Sequence, residues 1–357
     1  MEPQNLPRVL YIANAALTQD GTRFYNTDNK IFNGLVRLGC CVYYFSDRDT
    51  ARASTLLASK LLGAKRANKR LLKVFDTFQP DIVLISNHGI IKPETIGKMR
   101  ERNPNVRIGQ YNVDAAFNDH NFNRIKEMAK YTDANFITTA GLVLEKLEEV
   151  SKKYGSRCYY IPNCCDTSIE TLRCFERSDQ EYDLFFAGSI GAHDKGRAEF
   201  LDKLIAHPEI NFNYHGFYYK PKLGGAKYFQ EISNAKMGLN LSRTAWKRKA
   251  NVEELYLYSS DRLAHFMANG LLTFSHVENN LHDLFAEDEL VYFTTAADLI
   301  DKVTYYKNHD KERRKIAEKG WRKYHEHFNE KIVASFMLEM IQGNKPSKKY
   351  IWAAITS

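Results

Sequence analysis

Short apolar runs alternate with stretches of helical spacing along the first half of the chain. Arg8–Asn14 (RVLYIAN) is a continuous apolar run, the pattern of a strand buried on both faces. Lys30–Leu38 then places Ile31, Leu35 and Leu38 on one helical face and stops at Gly39. Cys41–Phe45 (CVYYF) reads as a strand, and a long basic helical region follows it as far as Phe78. Gln79-Pro80 breaks that region, and Asp81–Ser86 (DIVLIS) is a strand again. Pro93 opens a helix at the first-turn position that suits proline. Val106–Val113, Ala134–Thr139 and Cys158–Pro162 continue the series, with helices between them. Strands alternating with helices predict a parallel sheet covered on both faces.

The polar stretch Asp166–Glu181 interrupts this rhythm and reads as a linker. The alternation then restarts with the strand YDLFFAG, a helix over Lys195–Ala206, the strand INFNYHG, a helix over Gly224–Ala235 and the strand MGLNLS. A short helix before Asn269-Gly270, the strand LLTFS, the strand LVYF and a helix from Ala296 complete it. Lys311–Phe328 and Glu330–Gln342 are the closing helices. The expected organisation is a first Rossmann-like domain over 1–165, a linker over 166–181 and a second domain over 182–328. Residues 329–357 form a last helix and tail, with packing back on the first domain as one outcome. Ligands of such sheets bind at the carboxyl ends of the strands, so the loops there are the places to search.

Composition narrows the class. The balance of 51 basic against 43 acidic residues gives a net charge of +8, which favours phosphorylated or polyanionic partners or an anionic membrane surface. No apolar run approaches the ~20 residues of a membrane span, and the first residues lack a leader pattern, so a cytoplasmic protein is expected. Six cysteines, four of them in the adjacent pairs Cys40-Cys41 and Cys164-Cys165, form no CxxC and read as reduced thiols at buried positions.

Three strand-end loops in the second half carry cations with small polar groups. FFAGSIGAHDKGR offers Gly188, Ser189, Gly191 and Gly196 ahead of a helix that Lys195 and Arg197 open. Backbone N–H groups, a helix start and two cations could hold a diphosphate there, although no Walker or GxGxxG spacing is present. MGLNLSR adds Arg243, and YSSDRLAHFMANG adds Ser259, Ser260 and Arg262 at a helix mouth. In the first half, Asp47 and Asp49 form a DxD pattern after a strand. That pattern can hold a divalent metal but is common, and no metal is expected. His88 and Asp114 follow strands and could serve as general bases.

The pieces FFAGSIGAHDKG, ISNAKMGLNLSR, SSDRLAHFMANGLLTF and LFAEDELVYF onward resemble the nucleotide-sugar-binding domain of GT-B glycosyltransferases, in the group 1 and CgeB-like branch. YIPNCCDTS resembles the interdomain segment of that family, and the first half resembles its acceptor domain more loosely. The resemblance implies two tandem Rossmann-like, doubly wound α/β domains facing a cleft. It implies that the Gly188 loop and Lys195 hold a donor diphosphate. His265 stands where the family commonly carries an acidic residue for the ribose hydroxyls, which leaves UDP-, GDP- and CMP-type donors open. The implied activity is sugar transfer to a glycan or lipid-linked glycan of the cell-surface polysaccharide type, with no cofactor beyond the donor. Peripheral contact with an anionic membrane at its inner face is compatible with it, and no nucleic-acid partner is expected. The alternative is a non-catalytic protein that binds a nucleotide or polyanion.

Overall fold

The computed structural model describes residues 6–86, 89–190, 195–242 and 252–354. The chain divides into two compact units, 1–162 with 330–357, and 163–329. In the first unit the strands are β1 (Arg8–Ala13), β2 (Cys41–Ser46), β3 (Ile82–Ser86), β4 (Arg107–Asn112), β5 (Ala134–Ile137) and β6 (Arg157–Tyr160). Between them run α1 (Thr27–Arg37), α2 (Asp47–Ala53), α3 (Lys60–Phe78), α4 (Pro93–Arg102), α5 (Asp119–Ala129) and α6 (Leu142–Lys152). The strands are parallel and lie in the order β2-β1-β3-β4-β5-β6. Strand order therefore reverses between β1 and β3, where a crevice opens at the carboxyl ends of such sheets.

The unbroken apolar runs have the cause that the sequence suggested. Val9 to Ala13 and Ile82 to Ile85 are buried on both faces of the sheet. On one face Leu10, Ile12, Val83 and Ile85 pack with Ala67, Leu71 and Phe75 of α3 and with Ile96 and Met99 of α4. The basic region before Phe78 is two helices rather than one. Asp47 and Asp49 lie in the first turn of α2, where carboxylates suit the helix dipole. Gly63 lets α3 press on α2, since a Cβ there would meet the Ala51 carbonyl.

The second unit holds β7 (Tyr182–Ala187), β8 (Phe212–His215), β9 (Ala235–Asn240), β10 (Leu272–His276) and β11 (Val291–Phe293). Its helices are α7 (Lys195–Ile205), α8 (Ala226–Ser233), α9 (Arg262–Ala268), α10 (Ala296–Asn308) and α11 (Asp310–His327). The parallel order β11-β10-β9-β7-β8 puts its reversal between β7 and β9. Residues 166–181 belong to this unit and are packed into it. Cys174 and Phe175 are buried, and the Cys174 N–H donates to the Asn269 carbonyl at 3.0 Å. Polarity made the stretch look like a linker, but polar groups in it bond to the rest of the unit: the Gln180 amide N–H donates to the Ala235 carbonyl at 2.6 Å.

After α11 the chain returns to the first unit as α12 (Glu330–Ile341). α12 lies on α1, with Arg37 paired to the fully buried Glu330 at 2.5 Å, and Ile341 fills the space that a side chain at Gly109 of β4 would need. The basic and apolar tail packs on it: Tyr350 and Trp352 are buried against Phe336. All six cysteines are thiols, and Cys41 is exposed where burial was expected, because it starts the edge strand β2.

Candidate functional site

The reversal between β7 and β9 is built around two arginines. Arg197, from the first turn of α7, donates to the Ser189 carbonyl at 3.1 Å and to the Leu241 carbonyl at 2.7 Å. Arg262, the first residue of α9, donates to the Ala187 carbonyl at 2.9 Å and to the same Leu241 carbonyl at 2.8 Å. Both guanidiniums stand over the Phe186 ring, 5.0 and 4.9 Å from its centroid. Loops after two neighbouring strands are thus tied together by cations. Carbonyl oxygens carry no formal charge, so these bonds orient the guanidiniums without cancelling their positive field.

Burial decides what the arginines do. Arg197 is 1% and Arg262 8% exposed, so both side chains are surrounded mainly by protein. Their bonds tie the loops after β7 and β9 together, next to where the sequence pattern expects a phosphate. Gly188 has a matching reason. A Cβ there would stand 2.7 Å from a guanidinium nitrogen of Arg262 and 3.1 Å from one of Arg197. The glycine makes room for the protein's own cations, in addition to any approach by a ligand. Lys195 is exposed at the start of α7, where direct contact is open to it.

The other expected residues are placed as follows. Ser259 is buried, and its carbonyl accepts from Asn163 at 2.9 Å. Ser260 donates to Asn240 at 3.2 Å, joining the α9 mouth to the end of β9. His265 is 2% exposed, with Nδ1 2.7 Å from the buried carboxylate of Glu170. It therefore ties residues 166–181 to α9 and presents almost no surface to a ribose. Arg243 and His88 lie outside the described residues. Asp114 is exposed just after β4, where its N–H donates to the Asn112 side chain at 2.7 Å.

The first unit carries a group that sequence reasoning missed. Asp28, in the first turn of α1, reaches the reversal between β1 and β3. It accepts from Tyr111 at 2.5 Å, from Ser86 at the end of β3 at 2.8 Å and from the Asn14 N–H just after β1 at 3.0 Å. Tyr111 in turn lies 2.5 Å from the Tyr11 hydroxyl. Lost solvation outweighs these bonds and raises the Asp28 pKa. Its side chain remains partly exposed. The only sequence signal was an acidic residue in a helical first turn, which is too common to single out. Asp49 has another task, accepting from Ser46 at 2.6 Å, from the Leu17 N–H at 2.9 Å and from Thr18 at 3.2 Å. Asp47 is fully buried, and burial pushes its pKa up to about 7. The DxD pair is thus engaged in holding the β1–α1 connection and the α2 start. No group of three or more potential metal ligands occurs among the described residues.

Comparison with known proteins gives the following. Residues 197–339, from Arg197 through most of α12, match a family model described as glycosyl transferase-like. No curated protein sequence matches the chain. Among solved structures, sucrose-phosphate synthase from Thermosynechococcus elongatus is similar at a TM-score of 0.61 and 9% identity, covering 94% of this chain and 98% of that one. HepE from Anabaena in complex with UDP-glucose gives 0.54 at 10% identity, covering 94% and 100%. A putative UDP-N-acetylglucosamine 2-epimerase from Listeria monocytogenes gives 0.53 at 11%, covering 97% and 98%. At these identities the likeness establishes the fold alone. Two parallel-sheet α/β domains matching GT-B glycosyltransferases, with a glycosyl transferase-like family match over 197–339, are what this chain carries.

Proposed function

We propose that the protein is a glycosyltransferase, moving a sugar from a nucleotide-sugar donor to a glycan or lipid-linked glycan acceptor of the cell-surface polysaccharide type. The observation that carries this is the convergence of Arg197 and Arg262 at the β7–β9 reversal, inside the segment that matches the glycosyl transferase-like family. In such a transfer the bond from the sugar carbon to the diphosphate oxygen breaks, and the acceptor oxygen takes its place. Negative charge builds on the departing diphosphate. Lys195 and the N–H groups at the start of α7 would bind that charge directly, and the buried arginines would stabilise it at short range. No metal is needed for that step. UDP is the first donor nucleotide to test, with GDP- and CMP-type donors next.

The acceptor hydroxyl must lose its proton if the sugar inverts. Asp114 and His88 remain candidates for that base, and Asp28 joins them because its carboxyl has a raised pKa and partial exposure at a sheet reversal. A cytoplasmic location is part of the same reading. Calorimetric titration with nucleoside diphosphates, followed by turnover with the matching sugars, tests it. We expect one nucleotide to bind clearly best, and Lys195→Ala to lower turnover by ~10²-fold or more with the fold intact. Tight nucleotide binding without turnover of any donor would favour the non-catalytic alternative.

A further inference from the structure

The first unit exposes an unusual surface at the α2–α3 corner. Leu56, Leu57, Leu61 and Leu62 are 107, 81, 75 and 66% exposed, whereas the other exposed large apolar residues of the unit, such as Leu17 and Val36, stand apart along the chain. Scattered exposed leucines are ordinary, but four within seven positions form a patch. They lead into a strongly basic helix. Residues 56–75 contain Lys60, Lys65, Arg66, Lys69, Arg70 and Lys73 and no acidic residue. Those six positive charges compare with a net +8 for the whole chain. All six side chains are exposed.

Helical geometry arranges them on one side. Gly63, Ala67, Leu71 and Phe75 are the buried stripe of α3. Positions 62, 65, 66, 69 and 73 recur at three- and four-residue spacing on the opposite side, so Leu62 heads a row of cations. The leucines at one end and the cations along the outer face are the two parts of an interfacial anchor. Apolar side chains enter the boundary between headgroups and acyl chains, and cations meet the phosphates.

We infer that the α2–α3 corner and the outer face of α3 dock the protein on an anionic lipid bilayer. The inference deepens the lipid-linked branch of the function proposed above, but it rests on this surface. The charge selects the occupant. A second copy would bring six like charges against six, and a nucleic acid would give no reason for four exposed leucines. A bilayer with acidic headgroups accounts for both features. Each cation near such a surface strengthens binding roughly fivefold.

The test is sedimentation of the full chain with vesicles, with no sugar donor present. One set is phosphatidylcholine alone, and the other contains about 30% phosphatidylglycerol, enough for a negative surface potential. We expect binding at least ~10-fold tighter to the acidic vesicles, weakening as salt rises. Leu57→Glu with Leu61→Glu, and separately Lys65→Glu with Lys69→Glu, should each abolish most of it. These positions are exposed, and circular dichroism checks that the fold is kept. Equal weak binding to both vesicles overturns the proposal, as does native-like binding by the leucine variant. So does a dimer, seen by light scattering, that the leucine variant dissolves, or tight oligonucleotide binding that the variant retains. Because no donor is present, failure here leaves the transfer reading standing.

Discussion

Two carboxyls with raised pKa values show how a residue's surroundings set its chemistry. Asp47 holds its proton to about pH 7 in the folded chain, whereas an unfolded aspartate releases it near pH ~3.9. Between those values the unfolded chain binds fewer protons, so stability falls as pH rises and then levels off above about 7. Asp47→Asn removes the titration and keeps the shape of the protonated acid. Its unfolding free energy should exceed the native one at pH ~8, by on the order of 1–3 kcal/mol, and converge with it near pH ~4. Chemical denaturation at the two pH values measures this. Asp28 makes the opposite kind of prediction, since it is partly exposed. If it takes the acceptor proton, Asp28→Asn should lower kcat by ~10²-fold or more and remove the acid limb of the pH–rate profile. An unchanged acid limb would assign Asp28 to bracing the β1–β3 reversal only. Neither role could be read in the sequence. Asp47 looked like half of a metal motif, and the partners of the Asp28 carboxyl come from positions 14, 86 and 111.

At the scale of elements, the period of the apolar pattern located most strands and helices, though it merged α2 and α3 into one. The runs at Arg8, Asp81 and Tyr182 are strands, and the boundaries of α7, α11 and α12 fall within a residue or two of the expected ones. Side-chain direction was not legible. Arg197 and Lys195 both look like surface cations at a helix start, yet one is buried and the other exposed. The difference comes from the Leu241 carbonyl, 44 residues away, which no local pattern reports. His265 and Glu170 are 95 residues apart and looked unrelated. Helix packing also hides in single glycines. A Cβ at Gly34 of α1 would overlap the Glu330 carbonyl of α12, and backbone cannot yield cheaply. Gly34→Ala should therefore cost about 1–3 kcal/mol of the first unit's stability by pushing α12 outward. Thermal unfolding with a tryptophan signal reads this, since Trp352 is buried against α12.

At the scale of the whole molecule, two sheets with their reversals at β1–β3 and β7–β9 follow from the repeated strand–helix rhythm. The path of residues 330–357 did not, because a helix with an apolar face states only that it is covered, never by what. That path sets an order of assembly on the ribosome. Residues 163–329 are a contiguous stretch and can complete their own core once they have emerged. The leading 162 residues must wait, with the face of β4 and β5 that α12 will cover still open, until positions 330–341 arrive. The part of the nascent chain that is made first is thus finished last, and a chain halted between the two would expose a sticky, unfinished sheet to chaperones.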